Sequence, residues 1–206
     1  MKPQFTIVPG RAHDRAAIGG VIRSAFAGMP YAAGDEAYLV EMLRAAEALT
    51  VSLVAELDGV VVCQIAFSPA TPTDGSQAWY ALGPVAVLPV HQCAGIGSQL
   101  VRAGMVAIGE LAAQGCILTG NPTYYIRFGF GHSPANTPAG EPAEFFMVKR
   151  LAGELPVGPI QFHMASNSGA CTLVVANRSA LRPIGARTSG GSAAMLKTQR
   201  TDLVPA

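Results

Sequence analysis

The feature that most constrains the fold of this chain is a short glycine-containing segment between a strand pattern and a helix pattern. Residues 79–88 form a β-like run, and an amphipathic helical pattern covers residues 98–113. The residues between them include Gln92, Cys93, Ala94, Gly95, Ile96 and Gly97. The first N–H groups of a helix have no intrahelical partner, and the helix dipole adds partial positive charge there. This order of elements therefore predicts a site for a phosphate-bearing cofactor.

Length and charge limit the classes of protein to which the chain can belong. It has 206 residues, of which 50% are hydrophobic and 13% are charged, and its formal net charge is +1. One well-buried domain is expected from this length. A near-neutral charge argues against a nucleic-acid partner, and no apolar run approaches the roughly 20 residues of a membrane span. Residues 1–6 lack a signal-peptide pattern, so we expect a soluble, cytoplasmic protein without a membrane partner.

The four cysteines indicate no metal centre. Cys63, Cys93, Cys116 and Cys171 form no CxxC pair, and no histidine lies at zinc-ligand spacing from them. Cys63 and Cys116 lie in apolar strand-like runs, where buried thiols are common. Cys93 lies inside the glycine turn, and a thiol near a helix N-terminus can have a lowered pKa. Only His91 is near it in sequence as an activating group, which weighs against a nucleophilic cysteine.

Hydrophobic periodicity predicts a mixed α/β chain in the order β-α-α-β-β-β-α-β-α-β. Strands are predicted over residues 4–9, 51–57, 60–67, 79–88, 116–119 and 144–149, with 160–163 as a further candidate. Helices are predicted over residues 14–26, 36–48, 98–113 and 123–127. Asp58-Gly59 favours a tight hairpin, residues 68–77 a turn region, and Gly115 the end of the long helix. A parallel crossover through the long helix makes the predicted sheet mixed.

The predicted strand over residues 79–88 contains Gly83-Pro84 at its centre. Proline cannot donate to a β-ladder and glycine weakens a strand, so this is unsuitable chemistry for a regular central strand. A β-bulge reconciles the two, because it would leave nearby backbone groups facing a ligand. A plain edge strand is the alternative.

The C-terminal segment differs in composition from the rest of the chain. Residues 166–206 are rich in Ser, Ala, Gly, Thr and Arg, and five basic residues against one acidic residue give them a net charge of +4. We therefore predict a domain over residues 1–165 and a flexible basic tail over 166–206. A solvated tail is favoured over one that binds nucleic acid or an acidic partner.

Two common phosphate-binding motifs do not match the glycine turn. A Walker loop would continue with Gly-Lys-Ser/Thr, and a dinucleotide fingerprint needs an early Gly-x-Gly-x-x-Gly and an acidic residue about 20 positions later. The pattern of Gln92, Gly95 and Gly97 instead resembles the Arg/Gln-x-x-Gly-x-Gly/Ala pyrophosphate motif of the GCN5-related N-acetyltransferase (GNAT) superfamily.

Further features carry the same resemblance. Gly83-Pro84 stands where that superfamily has a bulged, splayed central strand. Residues 121–130 resemble its later Asn…Tyr…Gly-Phe segment, and the order of elements matches over about residues 4–150. Residues 82–87 and 121–130 together are similar to a bacterial branch of predicted acetyltransferases. The resemblance implies a GNAT-like α/β fold with a mixed sheet.

The resemblance also implies a function and a set of cofactor contacts. It implies transfer of an acetyl group from acetyl-coenzyme A (acetyl-CoA), as co-substrate and without a metal, to a small-molecule or peptide amine. Backbone groups of the bulged strand would hold the pantetheine arm as an added strand does; these residues are Val85, Ala86 and Val87. Gln92 belongs to the implied pyrophosphate site as well, together with a run of N–H groups from Cys93, Ala94, Gly95, Ile96, Gly97 and Ser98.

Asn121 and Tyr125 complete the implied site. Asn121 would contact the end of the pantetheine arm, and Tyr125, four residues before Gly129, matches the proposed general acid of many relatives. Aromatic packing is the alternative role of Tyr125, and Tyr124 is a poorer match that we predict to be structural. Relatives often have basic residues where this chain has Cys93 and Ala94, which should weaken electrostatic capture of the cofactor.

The implied mechanism is direct attack of a neutral amine in a ternary complex. A backbone N–H near Val87 would polarise the thioester carbonyl, and Tyr125 would protonate the departing thiolate. The base stays open among four side chains and a water chain; the side chains are Glu36, Glu144, His91 and His132. The acceptor stays open as well, among a small amine, an amino acid, an antibiotic and a protein N-terminus.

Two other functions are considered beside acetyl transfer, and one oligomeric assembly is expected. The chain could be a non-catalytic acyl-CoA-binding sensor or regulatory module, or an interaction protein whose tail recruits a partner. Because pairing through an exposed edge strand is common in such sheets, a homodimer is a plausible assembly.

Overall fold

The computed structural model of the protein describes residues 4–29, 32 and 34–164. The predicted tail, residues 166–206, lies outside the described residues. The described strands are Thr6–Pro9 (β1), Val51–Leu57 (β2), Val60–Pro72 (β3), Trp79–Val87 (β4), Gly115–Thr119 (β5), Gly131–His132 (β6), Phe146–Arg150 (β7) and Ile160–Phe162 (β8). The described α-helices are Arg15–Phe26 (α1), Glu36–Ala45 (α2), Ile96–Glu110 (α3) and Pro122–Tyr125 (α4).

The strands form one mixed sheet in the order β1-β2-β3-β4-β5-β7-β6, and β8 pairs with the C-terminal part of β3. The pair β4–β5 is parallel, and the other described pairs are antiparallel. The helix α3 makes the crossover between the two parallel strands, as such a connection requires. The predicted mixed α/β fold and its parallel crossover are therefore confirmed.

The helices cover opposite faces of the sheet. On one face α3 packs against the sheet in a cluster that includes Phe67, Leu100 and Ile108. On the other face α1 and α2 bury Ile22 and Leu39 in two further clusters. Because successive side chains of a strand alternate between faces, this division assigns a face to each residue of the central strands. We call the two sides the α3 face and the α1/α2 face.

Three predicted boundaries were wrong. The strand β3 extends to Pro72 through residues predicted as a turn, because its end pairs with β4 and β8. The helix α3 ends at Glu110, where Ala112 takes the left-handed conformation (φ 56°) usual after a helix C-terminus. Gly115 consequently begins β5 instead of ending the helix, and it lies against the ring of Trp79.

The hairpin and the β-bulge were predicted correctly from local sequence. Asp58 and Gly59 both have positive φ, 51° and 78°, as the predicted two-residue hairpin requires. In β4 the register with β3 shifts at Gly83-Pro84, because Leu82 pairs with Phe67 and Val85 pairs with Ile65. Two residues of β4 therefore oppose one of β3, which confirms the predicted bulge. The alternative of an edge strand was wrong, since β4 lies between β3 and β5.

Strands β4 and β5 separate beyond their first three pairs. Trp79 to Ala81 pair with Gly115 to Ile117, and no pairing joins the later residues of the two strands. The strand β4 nevertheless continues to Val87 and β5 to Thr119. The opening between these two strand ends is called the β4–β5 cleft below. It lies beside the bulge and next to the glycine turn that follows β4.

Candidate active site

The glycine turn presents the start of α3 beside the β4–β5 cleft. Gly95, directly before α3, has a left-handed conformation (φ 84°), and Cys93 also has positive φ (64°). The first intrahelical bond runs from the N–H of Gln99 to the carbonyl of Gly95, at 3.1 Å. The N–H groups of Ile96, Gly97 and Ser98 thus precede the helical hydrogen-bond ladder. Such a group of N–H donors at a helix start binds anions.

Gly97 allows α3 to approach β4 and α4 closely. A Cβ atom at this position would lie 3.1 Å from Cγ2 of Val87 and 3.5 Å from the hydroxyl of Tyr124. A Cβ atom at Gly95 would meet nothing within 4 Å, so conformation alone favours glycine there. The two motif glycines therefore have different physical roles, one in packing and one in backbone conformation.

Hydrogen-bond alternation decides which backbone groups of β4 face the cleft. The N–H of Leu88 donates to the carbonyl of Val62 at 2.9 Å, so the backbone groups of Leu88 point towards β3. Along a strand the direction of these groups alternates from residue to residue, so those of Ala86 also point towards β3. The backbone N–H and C=O groups of Val85 and Val87 point the other way, into the cleft. The side-chain amide of Gln92 donates to the Val87 carbonyl at 3.1 Å, in agreement with this direction. Of the three residues predicted to hold pantetheine, Ala86 lies with its backbone on the far side.

A fully buried glutamine holds the bulge. The side-chain amide of Gln64, on β3, donates to the carbonyl of Pro84 at 2.9 Å. Gln64 lies two residues before Ala66, and side chains two apart in a strand are on the same face of the sheet. Ala66 packs in the cluster beneath α1, so the Gln64 side chain is also on the α1/α2 face. Because Pro84 lies in the bulge, its carbonyl needs a donor other than a regular ladder partner. No short motif in the sequence marks Gln64.

The two adjacent tyrosines of α4 lie in different surroundings. Tyr125 is 1% exposed, and its ring packs edge-on against Tyr124 and Phe130, with centroids 5.2 and 5.7 Å away. Burial raises the pKa of Tyr125 well above its ordinary value. The hydroxyl of Tyr124 lies 3.4 Å from Oγ of Ser98, at the start of α3. The sequence predicts a structural role for Tyr124, and the one signal for another role is its position directly before Tyr125.

Asn121 sets the start of α4. Its Oδ1 accepts a hydrogen bond from the N–H of Thr123 at 2.9 Å, and Pro122 occupies the first helical position. Asn121 is thus an N-cap residue, which is a frequent structural role of asparagine. Its place at the end of β5, across the cleft from β4, is compatible with the predicted cofactor contact as well.

A carboxylate that the sequence analysis did not select lies at the end of β5. The hydroxyl of Thr119 donates to Oε2 of Glu141 at 2.6 Å. Glu141 is half-buried, and burial raises the pKa of its carboxyl, an effect that the Thr119 hydrogen bond partly offsets. Glu141 belongs to the loop between β6 and β7, 22 residues from Thr119, and no short motif marks the pair.

The four side chains named as base candidates have different positions. Glu36, at the start of α2, is buried, and one carboxylate oxygen lies 3.4 Å from the N–H of Gly34. It also lines a cavity of about 240 Å³ between the end of α1 and the start of α2. Glu144 and His132 are exposed on the surface, and His91 is half-buried in the short turn after β4.

Neither a metal centre nor a membrane span emerges from the described residues. Within the described ranges, no group of three or more His, Cys, Asp or Glu side chains is placed to hold a metal ion. In that same part of the chain, no helix is long and apolar enough to cross a bilayer.

Comparison with known proteins agrees with this geometry. The model of the acetyltransferase (GNAT) family matches residues 22–130. An uncharacterised N-acetyltransferase of Escherichia coli K12, YhbS, is 34% identical over 137 residues, which cover 62% of this chain and 81% of YhbS.

Two crystal structures show the same fold with a cofactor present. A GNAT family acetyltransferase from Brucella melitensis, in complex with acetyl-CoA, has 39% identity and a TM-score of 0.71, covering 79% of this chain and 98% of its own. The structure of E. coli YhbS in complex with CoA has 29% identity and a TM-score of 0.73, and the match covers 82% of this chain and 96% of the YhbS chain. The family match spans the cleft, the glycine turn and α4, and on this evidence the chain belongs to the GNAT acetyltransferase family.

Proposed function

We propose that this protein transfers the acetyl group of acetyl-CoA to a primary amine by direct attack in a ternary complex. The observation that carries the proposal is the β4–β5 cleft, which opens beside the anion-binding start of α3. Acetyl-CoA has a diphosphate for the helix start and an extended pantetheine arm for the cleft. The related proteins from Brucella melitensis and E. coli, which bind acetyl-CoA and CoA, support this choice of cofactor.

In this proposal the cofactor contacts are mainly backbone groups. The N–H groups from Cys93 to Ser98 hold the diphosphate, and Val85 and Val87 pair with the amides of the pantetheine arm as a neighbouring strand does. Gln92 keeps the edge of β4 in place through its bond to the Val87 carbonyl. Asn121 contacts the pantetheine from the opposite side of the cleft.

Tyr125 is the proposed proton donor to the leaving thiolate. A phenol carries its proton at neutral pH, and donation of that proton to the sulfur assists C–S cleavage. A neutral amine attacks the thioester carbon, and a backbone N–H on the cleft-facing edge of β4 stabilises the developing oxyanion. No covalent acyl-enzyme is involved, and Cys93 has no part in the chemistry.

Titration calorimetry with acetyl-CoA, CoA and NAD tests the cofactor assignment. We expect saturable binding of both CoA forms and none of NAD. The variant Gly97→Val places a branched side chain against Val87 and should weaken acetyl-CoA binding at least about 100-fold, the equivalent of two lost charge-assisted hydrogen bonds. Gly109→Ala, in the same helix and free of close contacts, is the matched control.

An amine screen that follows loss of the thioester absorbance tests the reaction. Turnover with at least one primary amine supports the transferase, while cofactor binding without turnover of any amine would favour the acyl-CoA sensor. Absence of CoA binding at millimolar ligand would contradict both.

The cytoplasmic location, the domain boundary near residue 165 and the homodimer stay predictions. The strands β1 and β6 terminate the main sheet and are the edges through which a second copy could pair.

A further inference from the structure

The pair formed by Thr119 and Glu141 lies on the α1/α2 face of the sheet. Leu118, the residue before Thr119, packs in the cluster under α3, whereas Ile117 packs with Leu39 of α2. Because strand side chains alternate, Thr119 shares the face of Ile117. The carboxylate that its hydroxyl contacts at 2.6 Å is therefore on the side of the sheet opposite α3.

The pair also lies level with the bulge. Ala81 and Ile117 make the last pair between β4 and β5. Two residues further along each strand are Gly83, in the bulge, and Thr119. A cofactor whose diphosphate lies at the start of α3 runs along β4 from its C-terminal end towards the bulge. Its sulfur and acetyl group therefore reach the level of Thr119.

In the proposed binding mode, the two faces of the sheet would receive different substrates. The nucleotide end of the cofactor would lie on the α3 face, where the glycine turn and α4 lie. An amine would then reach the thioester carbon from the α1/α2 face. The base that serves this amine belongs on that face, within hydrogen-bond reach of the attacking nitrogen.

We propose that the Glu141 carboxylate, oriented by the Thr119 hydroxyl, binds the acceptor ammonium and removes a proton from it. This inference rests on the proposed acetyl transfer. One proton passes from the ammonium to Glu141 and later to solvent, and the neutral nitrogen then forms the C–N bond. The C–S bond breaks, and the sulfur gains a proton from Tyr125, which recovers it when the amide nitrogen loses its second proton.

The surroundings of Glu141 suit this role. Among the residues that the structure describes, no Lys, Arg or His forms an ion pair with it, so its charge is not already neutralised by a side chain there. Thr119 occupies one oxygen and leaves further lone pairs for an ammonium. Burial shifts the pKa of Glu141 upward, in the direction that makes a carboxylate a better base. Glu144, in the same loop, is exposed.

A pair of cofactor analogues tests the proposal without knowledge of the acceptor. S-(2-aminoethyl)-CoA places an ammonium about where the attacking nitrogen would lie, and S-propyl-CoA is its neutral counterpart. We expect the wild-type protein to bind the ammonium analogue about tenfold more tightly than the propyl analogue in titration calorimetry. Glu141→Gln, which still accepts the Thr119 hydrogen bond, should abolish this preference and leave the affinity for CoA unchanged. Glu144→Gln is the matched control and should retain the preference.

The outcomes separate this inference from the proposed function. If the wild-type protein binds CoA but shows no preference for the ammonium analogue, the role of Glu141 is overturned and the acetyltransferase proposal stands. A preference that persists in Glu141→Gln overturns it equally. If no CoA form binds, the proposed function fails and this inference fails with it. The wild-type comparison needs no variant, so a folding defect in Glu141→Gln would not prevent the test.

Discussion

The two sides of the β4–β5 cleft differ in the chemical groups that they present, backbone groups on one side and side chains on the other. On the α3 face the site consists of backbone groups: the N–H donors at the start of α3 and the cleft-facing edges of Val85 and Val87. On the α1/α2 face the candidate site consists of side chains, namely the Thr119–Glu141 pair. A backbone site needs glycine at closely spaced positions, here Gly95 and Gly97, and so leaves a readable motif. A side-chain site assembled from distant segments leaves none.

The largest expected effect concerns the cysteines on the α3 face. Burial raises the pKa of Cys63 to about 12, so at pH 8 only about one such thiol in 10⁴ is ionised. Burial raises the pKa of Cys116 as well, whereas Cys93 is exposed in the glycine turn. In a Cys171→Ser background, iodoacetamide should modify Cys93 at least about 1000-fold faster than either buried thiol.

Peptide mass spectrometry measures these rates, and saturating acetyl-CoA should slow the modification of Cys93. Fast modification of Cys63 would mean that the core beneath α3 opens readily. A rate at Cys93 that acetyl-CoA does not change would contradict a cofactor seated on the turn.

The next effect distinguishes the two tyrosines of α4. Tyr125→Phe should lower kcat about 100-fold with the best amine of the screen, because the proton donor to the thiolate is lost. The Kd for acetyl-CoA should change by less than about twofold, since aromatic packing is retained. Steady-state kinetic assays measure kcat, and titration calorimetry measures the Kd for acetyl-CoA.

Tyr124→Phe is the control for this change, because its hydroxyl lies at Ser98 on the turn. We expect a modest change in Kd and little change in kcat. A loss of kcat in Tyr124→Phe alone would transfer the proton-donor role to Tyr124.

A smaller effect is expected from the conformation of the turn. Gly95→Val forces a branched side chain into a left-handed residue, which costs about 2 kcal/mol and corresponds to about 30-fold weaker acetyl-CoA binding. Gly95→Asn should stay within about threefold of wild type, because asparagine tolerates this conformation. Equal losses in both variants would show that space, and not conformation, requires glycine at this position.

The smallest effect concerns the support of the bulge. Gln64→Leu removes the donor to the buried Pro84 carbonyl and should lower the free energy of unfolding by about 1.5 kcal/mol in urea titrations. Gln77→Leu is matched to it, because the Gln77 amide donates to the Gly75 carbonyl at an exposed site. The control should change stability by less than about 0.5 kcal/mol. Equal effects in the two variants would contradict a supporting role of Gln64.

Features set by neighbouring residues could be predicted from the sequence. The hairpin at Asp58-Gly59, the bulge at Gly83-Pro84 and the left-handed turn at Gly95 each follow from the conformational limits of the residues present. The extension of β3 to Pro72 could not be predicted in this way, since its partner Ile160 lies far away in sequence. Local propensity favours a turn there, and pairing with β8 outweighs it.

In the candidate site, too, some residues could be predicted from local sequence and others depend on contacts between distant segments. The glycine motif and the tyrosine of α4 could be found because their spacing along the chain resembles that of the family motifs. The choice between Ala86 and its neighbours depended on the register with β3, which the Leu88–Val62 hydrogen bond reveals. The positions of Tyr124 beside Ser98 and Glu141 beside Thr119 depend on contacts across 26 and 22 residues.

The sequence by itself determined the family of this protein, the order of its elements apart from the short strand β6, and the backbone-built side of the candidate site. These follow from short-range rules, because φ preferences, helix starts and strand breakers act within a few residues. The tertiary structure decided where the cleft opens, which backbone edges line it and which carboxylate lies beside it. Those outcomes depend on how strands pair and on which loops they bring together, and packing between distant segments sets both.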